Sequence, residues 1–398
     1  MSDQSSQEKK RRKIDIADFF REAYNPNSIE DAERAIDEHR DIVVSGAAGT
    51  GKSTFIRKMC KKHTGNKKMG VVITATTANA ADVIGGKTIH SAFQLPLDFQ
   101  KLRQSDLKVL ASRKRKDLAK TLQNKRLVII DEMSMMSGTF YYNLRAYLKL
   151  IKPDTNFQYM LCGDFNQLPT FDPSDTLYAK PDFEMDHEIF FLIKVYRQKN
   201  LDFAMWLNNI AYGVVDDPPE DITFFVEDIY DKSIPRIYGT NQEVVYHNNK
   251  MYMQLDSKDE RTFKSTLISW EVKFPRECPT KEIFMTEFPE FRVKVGSVVS
   301  ITKNTKNKKL FNGKRLRIEG FDPETGVPVG RCIKTGEVFV INYHDLHIEV
   351  KEFNASVQMM PLTLAWAFTV NKAQGQTFDK VVVCPKQFRC PAQTYTAL

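Results

Sequence analysis

Ile42-Val43-Val44-Ser45-Gly46-Ala47-Ala48-Gly49-Thr50-Gly51-Lys52-Ser53-Thr54 decides how the rest of this chain reads. The apolar run Ile42-Val43-Val44 predicts a buried strand, and Phe55-Ile56-Arg57-Lys58-Met59 predicts a helix. Between them Gly46, Gly51, Lys52 and Ser53 carry the spacing of a phosphate-binding loop. Glycines let backbone N–H groups curl around a triphosphate, and the helix N-terminus adds positive potential. The cradle runs over Gly46, Ala47, Ala48, Gly49, Thr50, Gly51, Lys52, Ser53 and Thr54. Lys52 is placed to reach the β- and γ-phosphates, and the Ser53 hydroxyl to hold Mg²⁺. The ligands this loop implies are a nucleoside triphosphate and Mg²⁺.

Downstream, Leu127-Val128-Ile129-Ile130 reads as a strand buried on both faces of a parallel sheet. It delivers Asp131 and Glu132 to the edge where ligands bind in open α/β sheets. Asp131 is expected to hold Mg²⁺, and Glu132 to act as general base toward water. A third junction, Met160-Leu161-Cys162-Gly163-Asp164-Phe165-Asn166-Gln167-Leu168-Pro169, turns at Gly163. It points Asp164 and Gln167 at the same crevice, with Gln167 suited to sense a γ-phosphate by hydrogen bonding.

Composition bounds the rest. A length of 398 residues suggests two to three domains. The hydrophobic fraction of 42% is enough for real cores. No apolar run approaches a membrane span, and the N-terminus has no apolar leader core. A membrane protein is therefore not expected. The net charge is +8 and is clustered, which favours a polyanionic partner. The six cysteines form no C-x-x-C pair, so a reducing setting without structural zinc is expected.

Lys9-Lys10-Arg11-Arg12-Lys13 in the polar tail reads as nuclear import or nucleic-acid contact, or as a solvated tail. The localisation it suggests is the nucleus. Ile16, Phe19 and Phe20 just after it resemble the peptide that docks on the sliding clamp PCNA, with Lys13 where that peptide starts with glutamine. Such phenylalanines need a pocket, on the clamp or on this chain. Ile29, Ala32, Ala35 and Ile36 share one face of a helix leading to the first strand. From Lys101 to Arg126 basic residues face only Asp106 and Asp117, while Leu102, Leu107, Leu110 and Leu118 suggest a surface helical insertion. That lopsided charge reads equally as nucleic-acid contact and as a solvated face.

The order of these elements resembles the Pif-type DNA helicases of superfamily 1, relatives of RecD. The likeness runs from about Asn25 to the last residue. It includes Thr74-Ala75-Thr76-Thr77-Ala78, Thr88-Ile89-His90-Ser91, Asp131-Glu132-Met133-Ser134-Met135 and Gly163 to Pro169. Tyr196-Arg197-Gln198, Gly239-Thr240-Asn241 and Ala365 to Thr377 follow in order. A nucleotide kinase would explain neither Gly163 to Pro169 nor Ala365 to Thr377.

The resemblance implies an α/β fold: two RecA-like P-loop NTPase domains, parallel sheets with flanking helices, plus a small inserted β-barrel. ATP would lie between the domains, with single-stranded DNA or a DNA junction across their top. It implies a monomeric ATP-dependent 5′→3′ DNA helicase serving DNA repair, recombination or replication. Arg197 would contact the γ-phosphate from the second domain. Gln374 and Gly375 would couple nucleotide to DNA. Thr76, His90 and Lys372 would line the strand's track.

The expected organisation is a tail at 1–25 and a first domain at 26–190 with a basic insertion at 94–126. The second domain is expected at 191–292, the barrel at 293–358 and the return of the second domain at 359–398. Turns at Asn312-Gly313, Pro323-Glu324-Thr325-Gly326 and Lys334-Thr335-Gly336 mark the barrel. Lys306, Lys308, Lys309, Lys314 and Arg315 are candidates to line a strand channel, or a solvated face.

Three departures from the family stand out. Ile29-Glu30-Asp31 lies where an adenine-reading glutamine is usual, and Asn371 replaces a histidine. The sequence ends at Tyr395-Thr396-Ala397-Leu398, where the family continues into Ser-Arg. That arginine is a transition-state finger, worth about 10³–10⁵ in rate. The alternative is therefore an ATP-responsive DNA-binding protein with little unwinding activity.

Overall fold

The computed structural model describes residues 28–398 except 66–69, 97, 171, 193, 195, 197–200, 212–213, 215–216, 221, 223–233, 257, 275–277, 306, 308, 350–352, 375, 377 and 379. The tail, with Lys9 to Lys13 and with Ile16, Phe19 and Phe20, lies outside the described residues.

The first lobe runs α1 (Ser28–Asp37), β1 (Ile42–Gly46), α2 (Lys52–Gly65), β2 (Gly70–Ala75), α3 (Ala78–Val83), β3 (Lys87–Thr88), α4 (Ile89–Phe93), α5 (Gln104–Thr121), β4 (Lys125–Asp131), α6 (Gly138–Ile151), β5 (Gln158–Gly163) and β6 (Glu188–Leu192). Its strands form one six-stranded sheet in the order β3-β2-β4-β5-β1-β6, and the pairings are parallel.

The apolar runs are continuous because both faces of this sheet are covered. Val128 and Ile130 of β4 and Tyr159 and Leu161 of β5 point into a core shared with α5 and α6. Leu127, Ile129, Met160 and Cys162 point the other way, onto Ala35, Ile36, Phe55, Ile56 and Met59 of α1 and α2. Each Val, Leu, Ile, Met or Phe side chain among them contributes roughly 1.5–3 kcal/mol on burial. The expected surface insertion is a helix, α5, whose Leu107, Ala111 and Leu118 belong to the main core.

The second lobe holds α7 (Leu201–Ala211), β7 (Arg236–Tyr238), α8 (Asn241–Met253), β18 (Ala367–Thr369), α9 (Val370–Ala373), β19 (Val382–Cys384) and α10 (Pro391–Ala397). Its described strands form a parallel sheet in the order β18-β7-β19. Thr240 caps α8 with its side-chain oxygen accepting from the Glu243 amide. Buried Asn248 of α8 ties this lobe to the segment that returns to it. Its Oδ1 accepts from the Trp366 and Ala367 amides at 3.0 and 2.9 Å, and its Nδ2 donates to the Leu364 and Ala367 carbonyls at 3.1 and 3.3 Å.

Between these parts lie β8 (Glu260–Phe263), β9 (Thr266–Val272), β10 (Phe291–Lys294), β11 (Val298–Ile301), β12 (Arg315–Phe321), β13 (Pro328–Cys332), β14 (Val338–Val340), β15 (His344–Glu349), β16 (Phe353–Met359) and β17 (Leu362–Leu364). An antiparallel sheet in the order β14-β13-β12-β11-β17 packs on the same core as Phe263 and Val293 of the β8–β10 pair. Gly313, Gly326 and Gly336 take φ of 93, 74 and 71° at the three expected turns. β8 and β9 fall within 191–292, the span read as second lobe, yet they pair with β10 and β16. β9 is largely exposed and lacks a clean apolar alternation, so its sequence gives no strand signal. No helix among the described residues is long and apolar enough to cross a membrane.

Candidate active site

β1 ends at Gly46, and α2 begins at Lys52. A Cβ at Gly46 would lie 2.5 Å from the Leu192 carbonyl oxygen and 2.6 Å from Thr50 Oγ1. Only glycine fits where the loop presses on β6. Gly49 and Gly51 take φ of 83 and 97°, which L side chains disfavour. Thr50 Oγ1 donates to the Ala47 carbonyl at 2.8 Å. Lys52 Nζ donates to the Gly46 and Ala47 carbonyls at 2.5 and 2.9 Å. The loop is thus a closed turn with its ammonium folded over it, and Ser53 and Thr54 open the helix behind it.

Asp131 ends β4, in register with Ala75 of β2. Its Oδ1 accepts from the Glu132 amide at 3.0 Å, and Glu132 takes a left-handed φ of 56°. Gly163 makes this approach possible, since a Cβ there would sit 2.8 Å from Met133 Cγ. Burial pushes the Asp131 carboxyl up, opposed by its bond from the Glu132 amide and by the Lys52 ammonium. Glu132 is pushed up to about 7, first by burial and then by the Asp131 charge, with Lys52 opposing and Asp164 adding. Glu132 Oε2 is buried without a hydrogen-bond partner. Burial raises Asp164 as well, opposed by the Tyr395 phenol and by Lys52. Three carboxylates therefore share the field of one lysine.

The second lobe reaches into this cluster. Gln374, buried just after α9, donates from Nε2 to Gln167 Oε1 at 3.1 Å and to Ser134 Oγ at 3.4 Å. Tyr395 of α10 donates its hydroxyl to Asp164 Oδ2 at 2.7 Å. The Leu168 amide donates to Thr396 Oγ1 at 3.2 Å. Lys52, Asp131, Glu132, Gln167 and Gln374 thus converge on one cleft between the lobes.

The Thr76 hydroxyl donates to the Glu132 carbonyl at 3.0 Å, and its amide to the Asp131 carbonyl at 3.2 Å. Thr76 is therefore fastened to the acidic turn. His90 is half-buried with its ring 5.3 Å from that of Phe140, and burial lowers its pKa. Lys372 is exposed on α9. Arg197 and Gly375 lie outside the described residues. Beside Arg197, Tyr196 donates its amide to the Gly49 carbonyl at 2.9 Å, and its exposed ring flanks Gly51.

Of the barrel cations, Lys309 is paired with Glu337 at 2.6 Å. Lys314 Nζ lies 4.4 Å from the Phe339 ring centroid. Arg315 turns inward: it donates to the Ala365 carbonyl at 3.1 Å, and burial lowers its pKa to about 10. Lys306 and Lys308 lie outside the described residues. Tyr395, Ser134 and Tyr196 lie in stretches that resemble the family, but the sequence assigned none of them a role, because each acts through the register of a distant segment.

Residues 27–221 match the family model of the PIF1-like helicases. The ATP-dependent DNA helicase PIF1 of Homo sapiens is 27% identical over 386 residues, covering 92% of this chain and 57% of that protein. The chain therefore spans little more than half the length of this relative. The crystal structure of Pif1 helicase from Candida albicans superposes with a TM-score of 0.76 at 24% identity, covering 93% of this chain and 91% of that chain. Pif1 helicase from Bacteroides, in complex with ADP-AlF3 and ssDNA, superposes with a TM-score of 0.65 at 24% identity, covering 93% of this chain and 88% of that chain. The two superpositions establish a shared α/β fold.

Proposed function

We propose, from its likeness to the PIF1-like helicases, that this chain is an ATP-dependent DNA helicase moving 5′→3′ on single-stranded DNA. The observation that carries this reading is Gln374 of the second lobe meeting Gln167 and Ser134 of the first beside Lys52, Asp131 and Glu132. A phosphate site lying between two lobes ties their relative position to the nucleotide.

The Gly46 to Thr54 loop would take the triphosphate, with Lys52 exchanging its two loop carbonyls for phosphate oxygens. The partnerless Glu132 Oε2 and the upward shifts of Asp131, Glu132 and Asp164 mark a shortage of positive charge. A magnesium ion fits that shortage. Ser53 and Asp131 would hold it, and it would add Lewis-acid stabilisation at the phosphates. Glu132 would accept the proton of the attacking water. Gln167 would report the γ-phosphate, Arg197 would contact it from the second lobe, and Gln374 and Gly375 would couple the nucleotide to the DNA strand.

Thr76, His90 and Lys372 are proposed for the DNA track, Thr76 through its attachment to the acidic turn. Binding through phosphates makes affinity fall with salt. Exposed Lys108, Arg113, Arg115, Lys116 and Lys120 of α5 add positive surface to the first lobe. We further propose that the protein acts as a monomer in DNA repair, recombination or replication. Nuclear import would use Lys9 to Lys13, and PCNA docking would use Ile16, Phe19 and Phe20.

The test is ATP-dependent strand displacement on a duplex with a 5′ tail and on one with a 3′ tail. Unwinding of the 5′-tailed duplex alone is expected. Lys52→Ala is expected to abolish ATPase while DNA binding persists. DNA-stimulated hydrolysis that survives Lys52→Ala would refute the assignment. ATP-modulated DNA binding without unwinding would select the binding-protein alternative.

A further inference from the structure

The second lobe grips one short loop of the first lobe at both its ends. Asp164 and Leu168 bracket the segment that leaves β5. Asp164 is 2% exposed. Its Oδ1 accepts from the Asn166 amide of the same loop at 3.0 Å. Its Oδ2 accepts from the Tyr395 phenol of the other lobe at 2.7 Å. A carboxylate taken this far out of water needs donors for its oxygens, and half of that need is met from across the cleft. At the far end, Leu168 donates its amide to Thr396 Oγ1 at 3.2 Å. Tyr395 and Thr396 are consecutive on α10, and Ala397 beside them packs with Leu168, Ile237, Val370 and Ala373. Gln167 lies between the two gripped residues, its side chain taken by Gln374.

We propose that Tyr395 is a positioning residue: through Asp164 it holds the 164–168 loop so that Gln167 stands in the cleft, and it makes that loop move together with α10. Tyr395 is 8% exposed, so this bond forms largely out of water. A charge-assisted O–H···O⁻ bond between two buried groups is among the stronger neutral-to-ion contacts a fold makes. Tyr395 touches no reacting atom; it acts on Gln167 through Asp164. The consequence for hydrolysis rests on the helicase reading above, whereas the grip itself does not.

Hydrogen exchange of the Gln167 and Leu168 amides, without nucleotide, separates the two. Tyr395→Phe keeps the ring and removes only the hydroxyl. Exchange at these amides is expected to quicken about tenfold or more, with β4 unchanged. Unchanged exchange at both amides overturns the proposal. In DNA-stimulated ATPase, Tyr395→Phe is expected to lower kcat about tenfold with KM within about twofold. Asp164→Ala should match it, and the double variant should be no worse than the weaker single. Losses that multiply, or a rise in KM alone, overturn the coupling. Should Tyr395→Phe loosen the whole lobe, seen as faster β4 exchange, Asp164→Ala carries the same test. If the unaltered chain hydrolyses no ATP, the helicase reading fails while the exchange measurement still decides the grip.

Discussion

Gln374 Nε2 stands 3.1 Å from Gln167 Oε1, one residue on each side of the cleft between the lobes. This pair joins a loop at the carboxyl edge of the first sheet to the turn after α9 in the second lobe. Gln374 is 5% exposed, and its Oε1 has no partner, so the amide has no solvent to fall back on. Whatever shifts Gln167 must shift Gln374 or break this bond.

Gln374→Ala is expected to lower DNA-stimulated ATPase roughly tenfold, the equivalent of about 1.4 kcal/mol. Nucleotide affinity should stay near that of the unaltered chain, because Gln374 does not belong to the phosphate loop. Steady-state kinetics together with titration of a fluorescent nucleotide measure both. Equal loss of affinity and rate would place Gln374 in binding.

Glu132→Gln is expected to cut ATPase by about 10²–10⁴, the usual worth of a general base. The same variant tests the electrostatics of the free protein. Glu132 sits at about 7 in the folded chain against an ordinary 4.5. The folded state therefore binds the extra proton, and the Glu132 contribution to stability falls as pH rises from about 4.5 to about 7. Thermal unfolding followed over that window should show a shallower pH slope for Glu132→Gln, and a higher melting temperature than the unaltered chain at pH about 8.

A buried relay at the other edge of the sheet slopes the opposite way. Arg145 donates to the Tyr141 hydroxyl at 3.1 Å, which donates in turn to His187 Nε2 at 2.6 Å. His187 Nδ1 donates to the Phe183 carbonyl at 2.9 Å. This arrangement needs a neutral imidazole. Burial lowers the His187 pKa from 6.5, opposed by that carbonyl bond, with Arg145 lowering it further. Its contribution is complete above pH 6.5 and is lost as pH falls below it. His187→Gln, which retains one donor and one acceptor, is expected to lose less stability between pH 7.5 and 5.5 than the unaltered chain. Parallel melting curves for the two would discount the relay.

Asn248→Ala tests what holds the second lobe. It removes two acceptor bonds and two donor bonds at the Leu364 to Ala367 segment. Unpairing buried backbone groups should cost roughly 3 kcal/mol. Urea unfolding followed by tryptophan fluorescence reports it, since Trp366 is 5% exposed in that core and contributes to the signal. A loss under about 0.5 kcal/mol would show that the segment is held by its β18 pairing instead.

Much of the first lobe was legible because local rules and tertiary rules agree there. The Leu127 to Ile130 run is apolar at every position since both faces of β4 are covered. The spacing of Gly46, Gly51 and Lys52 reflects backbone angles that the folded loop does adopt. The inserted β region was only half legible. Its turns follow glycines with positive φ, but exposed β9 carries no periodic signal and joins β16 from outside the expected span. The barrel lysines show the same limit. Composition placed them together, and only packing revealed that Lys309 is paired with Glu337 and that Arg315 faces inward.

Sequence alone determined the parts whose chemistry is written in adjacent residues: the phosphate loop, the acid pair ending β4, and the alternation of strand and helix in the first lobe. Those depend on backbone freedom and on burial of neighbouring side chains, both fixed within a few residues. Tertiary structure decided what stands against them. Gln374, Tyr395 and Thr396 reach Gln167, Asp164 and Leu168 from more than 200 residues away. Such contacts depend on how two separately folded sheets meet, and no local pattern encodes the docking of one against the other.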